Sequence, residues 1–442
     1  MLKLKNRYDD EKICENPDKG WYIHYYDQGI AERYNSDLAP GDYLDDFPML
    51  DHIYLRLAWS FLEPEEGNFK WELLDDVIDR WTAHGKKVSF RITCKETNKN
   101  LPFATPKWVF DAGAKFTWVK DCVEPEYGDS IFLEKLENFH RAFAEHYDSR
   151  DDVIYVDIGS YGDWGEGHTV PSSGKDWPVE VIKKHIDIYL RCYKNTQIVI
   201  SDDVVGSRDS GTDEEKREIL DYIIDNGISI RDDGISVQWF AERFGFNTLR
   251  SEEIYDRAWR KFPTVLELEH YQSALNSGWY LDGWPFLASV QGSHATYAGF
   301  HGFARKWLAE NPEMAVMLGN AVGYWYFVYG IDMPEKSPNE FSVKLYVENK
   351  GAAPSYKNYK LDFILRGDGS EYICNADKFC SSEIMPHTIT PREHQLKFDA
   401  PAGNYKLYIR MYNDSNRTIE LGMSNEYRYS DGSYYINDIV IE

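Results

Sequence analysis

Eight short β-rich runs, separated by longer stretches of helical period, fill the first 330 residues, and this rhythm limits the fold more than any other feature. The runs are "GWYIHYY" (20–26), "HIYLRLAW" (52–59), "KVSFRIT" (87–93), "VIYVDIGS" (153–160), "QIVISDD" (197–203), "GISVQWF" (234–240), "TVLELEHY" (264–271) and "GYWYFVYG" (323–330). Strand–helix alternation implies βα units and a parallel sheet. Eight units are the count for a closed barrel. The intervening helices have the right period. In "WELLDDVIDRWTAHGKK", Trp71, Leu74, Val77, Ile78 and Trp81 share one face, and Gly85 ends the helix. The connection over 94–130 is rich in Pro and Lys and reads as an excursion across the barrel mouth.

The pattern changes after "MPEKSPNE", a Pro-containing linker. Beyond it the chain alternates without a convincing helix: "FSVKLYVEN", "YKLDFILRG", "HQLKFDAP", "NYKLYIRMYN", "TIELGMS" and "YYINDIVIE". Short strands spaced by turn signals predict a β-sandwich. The expected class is α/β, a (β/α)8 TIM barrel over 1–332 followed by an all-β sandwich domain over 333–442.

Composition excludes several partners. A formal charge of −25 would repel nucleic acid and an anionic membrane surface alike. The six cysteines show no CxxC or Cys/His ligand spacing, so neither a zinc site nor a redox pair is indicated. Cys374 and Cys380 are read either as a bridge or as free thiols. The first residues lack an apolar export region, so the chain as given is expected to be cytoplasmic; a secreted or periplasmic location stays open if a leader was trimmed. Aromatics make up 15% of the chain, which fits a large core and also rings for stacking on sugars.

In such a barrel the chemistry lies at the C-terminal ends of the strands. Reading those ends in turn selects His24 and Tyr26, Arg56, Arg91, then Asp163, Glu166 and His168 in "YGDWGEGHT". Further round come Asp202 and Asp203, Gln238, the trio Glu267, Glu269 and His270, and Trp325. Carboxylates on strands 4 and 7 would face each other across the barrel, the arrangement that glycoside hydrolysis requires. Glu267 and Glu269 are two apart, so both point to one face of the strand, and either can be the second carboxylate. Arg56 and Arg91 are candidates for keeping it ionised. The histidine spacing matches no zinc pattern, so no metal and no cofactor is expected.

These strand ends resemble a known clan. "YLRLAWSFLEPEEGNFKWELLDDVIDRWTAHGKKVSFRI" is similar to the second and third βα units of the retaining glycoside hydrolases built on (β/α)8 barrels. A closer resemblance, carried by "NPDKGWY", "GSYGDWGEGH", "PTVLE", "VGYWYFV" and "VKLYVENKGAAPSYKNYKL", is to an incompletely characterised bacterial family of barrels with a C-terminal β-sandwich. The resemblance implies Glu166 as acid/base and Glu267 as nucleophile, with Arg56 orienting it. Two departures stand out. The clan has Asn before its acid/base, where this chain has Gly165, and a strand-6 Tyr, where "VQWF" offers Gln238 and Trp239.

The function these readings imply is a glycoside hydrolase cleaving a glycosidic bond by a two-glutamate, retaining mechanism on a plant, algal or microbial oligo- or polysaccharide. Trp21, Trp239, Trp279, Trp284 and Trp325 are candidate stacking platforms. Tyr26, Asp203, Gln238, His168 and Glu269 are candidate hydroxyl binders, and Trp164 is an apolar neighbour of the acid. The alternative is a non-catalytic carbohydrate-binding protein using the same barrel mouth. A third, a barrel lyase or another hydrolase acting on acidic polysaccharides, would need more Arg and Lys at the mouth, where only Arg56 and Arg91 are evident.

Overall fold

A computed structural model describes all residues except 1–3, 5–7, 28–37, 209, 245–251, 368 and 377. The chain divides into two compact units, Trp21–Ser293 with Tyr297–Pro312, and Met1–Gly20 with His294–Thr296 and Glu313–Glu442. No helix among the described residues is long and apolar enough to cross a membrane.

The first unit is a closed barrel of eight strands. They are β1 (Gly20–Tyr26), β2 (Leu50–Ala58), β3 (Lys87–Thr93), β4 (Val153–Asp157), β5 (Gln197–Ser201), β6 (Ser229–Ile235), β7 (Thr264–Leu268) and β8 (Tyr297–Phe300). Neighbours pair in parallel, as in β2 with β3, where Arg56 sits opposite Arg91. Helices of the expected period return the chain between strands. Glu72–Thr82 buries Leu74, Val77, Ile78 and Trp81. Ser130–Tyr147 is capped by Asp129, whose carboxylate accepts the Ile131 and Phe132 amides.

Six of the eight predicted strands are present, and two are corrected. Strand 6 is "SIRDDGI", not the expected 234–240 run, whose second half forms the helix Gln238–Phe244. Strand 8 is the four-residue Tyr297–Phe300. It packs so closely on β1 that a Cβ on Gly299 would come within 2.3 Å of the Tyr22 ring. The 94–130 connection is not a bare loop: it holds the helix Lys107–Asp111 and a hairpin of Phe116–Val119 with Cys122–Pro125.

Period-two alternation explains the barrel interior. One face of each strand presents, in order, Tyr22 and His24; His52, Tyr54 and Arg56; Ser89 and Arg91; Tyr155 and Asp157; Val199 and Ser201; Arg231 and Asp233; Val265, Glu267 and Glu269; and Tyr297. Near the N-terminal ends these side chains form a layer of buried rings: Tyr22, Tyr54, Tyr155 and Tyr297 with Val199 and Val265. Toward the C-terminal ends the layer becomes charged. That switch from rings to ions sets the depth of the site.

The second unit carries a β-sandwich of two sheets, antiparallel except for the short edge strand Lys336–Ser337, which pairs in parallel with Tyr434–Ile441. One holds β9 (Tyr326–Asp332), β11 (Glu340–Asn349) and β14 (Thr388–Lys397). The other runs from β10 (Lys336–Ser337) through β16 (Tyr434–Ile441), β15 (Gly403–Tyr412) and β12 (Lys360–Gly367) to β13 (Ser370–Asn375). Phe341, Val343, Leu345 and Val347 alternate into the core against Leu407, Ile409 and Met411. The run expected to close the barrel, 323–330, instead supplies β9, which pairs antiparallel with β11. "TIELGMS" forms no strand; its Thr418 makes an isolated bridge to Tyr412. "ENKGAAP" is a structural turn: buried Asn349 accepts the Trp325 and Gly351 amides and donates to the Ala353 and Ile384 carbonyls. All six cysteines are free.

Candidate active site

At the C-terminal ends of the barrel strands lies a cavity of about 380 Å³ lined by thirteen residues, among them Glu166, Glu267, Glu269, Asp27, Arg56 and Asp203. It brings together carboxylates from β4 and β7, the pair expected from the sequence.

Glu267 stands at the floor. It is fully buried, and three donors converge on it. His24 Nε2 lies 3.0 Å from Oε2, Arg231 Nη1 lies 3.4 Å from the same oxygen, and His301 Nε2 makes a short contact with Oε1. A carboxylate can only accept, so both imidazoles carry the proton on Nε2. Burial alone would raise the pKa of Glu267, but His301, His24 and Arg231 hold it well below the usual carboxylate range. His24 does this as a neutral donor, because burial and the neighbouring His301 ring push its own pKa down to about 3.

Arg231 is the centre of the charged layer. Its guanidinium reaches Asp157 Oδ2 at 2.7 Å, Asp233 Oδ2 at 2.9 Å and Glu267 at 3.4 Å, all with little or no exposure. Arg56, expected to orient the strand-7 carboxylate, pairs instead with Asp27 at 3.0 Å and Glu96 at 3.4 Å. His24, His301 and Arg231 take the role expected of it. Arg91 reaches across to β4, with Nη1 3.2 Å from Glu166 Oε1.

Glu166 sits higher, on a loop that turns sharply off β4. Gly162, Trp164, Gly165 and Gly167 all have positive φ there, at 88°, 55°, 74° and 80°. Asp163 is buried beneath the loop, where its carboxylate accepts from Ser172 and lies 3.8 Å from Lys95 Nζ. The Trp164 indole donates to Thr97 Oγ1 at 3.1 Å and so fixes a wall of the cavity. Glu166 keeps 13% of its side chain exposed toward the cavity. Its pKa is raised to about 8: burial is the main cause, Asp233 adds to it, and Arg91, Arg231 and Arg56 oppose. His168 lies between two acids, with Nε2 3.9 Å from Glu166 and 3.5 Å from Asp203. Its Nδ1 accepts the Val170 amide, which directs the Nε2 proton at that pair.

Of the other expected residues, Glu269 lines the cavity rim, and its pKa is raised by burial and by Glu267 and Asp233. Gln238 and Trp239 border an adjoining cavity that shares Val237 and Glu269 with the first. Trp21 is a correction. It is fully buried among Phe47, Phe286, Phe300 and Trp307, so its loss would cost about 3–5 kcal/mol of stability and bear on no ligand. Tyr26 is also buried, with its hydroxyl 3.4 Å from the Leu73 carbonyl, and lies outside the lining. Trp279 and Trp284 are outside it too. Trp325 belongs to the sandwich unit and precedes β9, so the strand-8 position is filled by His301.

Four lining or supporting residues had no signal in their own spacing: Asp27, Arg231, Asp233 and His301. Arg231, Asp233 and His301 sit on or just past strands that the pattern placed elsewhere, and Asp27 lies one residue beyond the end of β1. His24, Asp27 and His301 do bring ligand atoms within 4.8 Å of one another. Two of those groups are committed to Glu267 and the third to Arg56, so the cluster serves as a carboxylate cradle.

Residues 54–161, from β2 to just past β4, match the family model described as Glyco_hydro_42, beta-galactosidase. Among solved structures, the chain is similar to the GH5_18 enzyme of Streptomyces cattleya in complex with GlcNAc, at 11% identity over 64% of this chain and 70% of that one, with a TM-score of 0.42. It is also similar to xylanase B of Clostridium stercorarium F9, at 15% identity over 66% and 89% of the two chains, TM-score 0.38. A third is the exo-beta-1,4-mannosidase Op5Man5 of an Opitutaceae bacterium, strain TAV5, at 12% identity over 67% and 55%, TM-score 0.44. The chain spans 65% of the length of a second Streptomyces cattleya GH5_18 structure.

Proposed function

We propose that this protein hydrolyses glycosidic bonds with retention of configuration, Glu267 acting as nucleophile and Glu166 as general acid/base. The observation that carries the reading is two carboxyls lining one cavity with pKa values held far apart, Glu267 well below the usual range and Glu166 at about 8. Environments that separate two acids in this way mark the base from the acid.

Near neutral pH, Glu267 would be ionised and Glu166 protonated. The Glu267 carboxylate attacks the anomeric carbon while Glu166 gives its proton to the departing oxygen, leaving a glycosyl ester on Glu267. Glu166, now a carboxylate, takes a proton from water as that water attacks the ester, and the carboxyl returns to its starting state. His24, His301 and Arg231 hold the nucleophile still. The family match makes β-galactosides the first substrates to try.

The test is chemical rescue. Glu267→Ala should lose about 10³-fold or more in kcat on a β-galactosyl fluoride, and azide should restore turnover with an inverted glycosyl azide as product. Proton NMR of the wild-type reaction should show the β-anomer first. A first-formed α-anomer would sink the retaining assignment.

A further inference from the structure

Next to the catalytic cavity, across a wall made by Val237 and Glu269, lies a second cavity of about 370 Å³. Its lining is Ser236, Gln238, Trp239, Glu242, Ser273 and Ser277 in addition to that shared wall. We propose that this cavity is a second sugar subsite, so that the substrate is an uncharged oligo- or polysaccharide chain with one ring over Glu267 and the next between Ser236, Glu269 and Trp239. The inference rests on the hydrolase reading and adds the substrate class.

Three observations carry it. The first is Ser236, only 2% exposed, whose Oγ has no hydrogen-bond partner among the described residues. A buried hydroxyl without a partner costs free energy, and Ser236 contributes to the lining of this cavity. Ser236 also has φ of +62°, a conformation that a residue other than glycine rarely adopts. Such strain persists where the surroundings hold it, commonly at binding sites.

The second observation is Trp239, 57% exposed at the start of the helix Gln238–Phe244. Its ring is propped edge-on by Phe240, with centroids 4.9 Å apart, and Phe240 itself lines the catalytic cavity. One aromatic pair thus spans both cavities. A large exposed indole beside a polar cavity suits the C–H face of a pyranose, which is apolar and flat.

Third is the polar rim. The Glu269 amide donates to the Ile235 carbonyl at 2.9 Å, which fixes Ser236 and the Glu269 carboxyl side by side above β6 and β7. The lining includes two carboxylates, Glu242 and Glu269, and no Lys or Arg among the described residues. The two carboxylates disfavour uronates and sulfated sugars by repulsion and suit neutral hydroxyls, which carboxylates bind as acceptors. Each cavity falls in the range of about 300–1,000 Å³ typical of ligand pockets, so the two together exceed the needs of one ring.

The test separates this subsite from the hydrolase reading. The probes are the β-glycosyl fluorides of galactose, glucose, mannose and xylose, whose leaving group is a single ion, and the β-1,4-linked tetrasaccharides of the same sugars. Turnover is measured for wild type, Trp239→Ala and Ser236→Ala. Binding of the tetrasaccharides is measured by calorimetry in Glu267→Gln, with and without Trp239→Ala. The expected result is a loss of kcat/KM in Trp239→Ala that is about tenfold greater on the preferred tetrasaccharide than on the matching fluoride, and a parallel weakening of tetrasaccharide binding. Equal losses on both probes would overturn the subsite, as would binding insensitive to Trp239→Ala or absent for the whole panel. Tetrasaccharide binding that depends on Trp239, with no turnover of any probe, would support the subsite and overturn the hydrolase reading.

Discussion

A β-carbon on Gly165 would come within 2.5 Å of the Gly159 Cα, so the loop bearing Glu166 packs backbone on backbone against the exit of β4. Related barrels are expected to carry Asn at this position. Here the chain has φ of +74° and no room for any side chain, so the glycine is a consequence of how the loop turns. Gly165→Ala must move the backbone or open the contact. Left-handed strain of about 1 kcal/mol and the clash together should cost about 2–4 kcal/mol. Activity should fall more than tenfold as Glu166 is displaced, and Gly165→Asn should fare worse. Melting temperature and kcat/KM measured side by side check this; an unchanged melt with full activity would refute the packing argument.

In the proposed mechanism, the pKa of Glu166 fixes the alkaline limb of the pH profile. Burial and the neighbouring Asp233 raise it to about 8, and the protonated form is the one able to donate. Activity should therefore hold through neutrality and fall as pH rises through about 8. Asp233→Asn removes a like charge and also leaves Arg231 freer to act on Glu166, so both effects lower the Glu166 pKa. The limb should move down by about one pH unit. A limb that does not move in the pH–kcat/KM profile would show that Asp233 does not govern the acid.

Arg231 compensates three buried carboxylates at once: Asp157, Asp233 and Glu267. Replacing it with Met leaves their charges without that counter-ion, and breaking a buried pair costs about 3–5 kcal/mol. The variant should melt well below wild type. Glu267 would also lose one of the groups holding its pKa down. The acid limb of activity should then move to higher pH, a change that general loss of stability does not produce. Arg231→Lys, which keeps the charge, should restore much of the melt while leaving the nucleophile less well oriented.

The barrel was legible wherever a strand's own residues alternate cleanly, as in "GWYIHYY" and "KVSFRIT", and unreadable where partners lie far away in sequence. "SIRDDGI" puts three charges in a row and lacks the apolar alternation of a strand. It forms a strand because Asp157 on β4 and Glu267 on β7 neutralise Arg231, and no local pattern can announce that. "YAGF" is four residues long, with a glycine demanded by the Tyr22 ring on another strand, so it carries no strand pattern of its own and leaves His301 beyond it unmarked. "GYWYFVYG" has a strong strand pattern, and its β9 core is a strand, but of the sandwich: its partner β11 decides the sheet. Glu166 and Glu267 were found because their signals are local, a glycine-rich turn and carboxylates alternating on one strand face. Of the cradle around Glu267 only His24 stands at a legible strand end; His301 and Arg231 join it through the closure of the barrel.

Because burial holds the Glu166 pKa up, the carboxyl should weaken the fold when it ionises. In the unfolded chain its pKa is about 4.3, whereas in the folded state it is raised to about 8. A raised carboxyl favours folding in its protonated form, so this contribution is complete below the unfolded value and is lost as pH climbs toward the folded one. Glu166→Gln carries no charge at any pH and should keep the hydrogen bond from Arg91. Its melting temperature relative to wild type should therefore rise steadily between pH 4 and pH 8 and level off above. A full shift of this size would be worth roughly 5 kcal/mol, but the carboxyl keeps 13% exposure to the cavity, and about 2 kcal/mol, a few degrees, is the reasonable expectation. The same variant should lose most of its turnover of substrates with poor leaving groups. Stability gained only at high pH, from a substitution that removes activity, would distinguish a carboxyl held against its solvation from one that merely lines a wall; a difference in melting temperature that is flat with pH would rule that out.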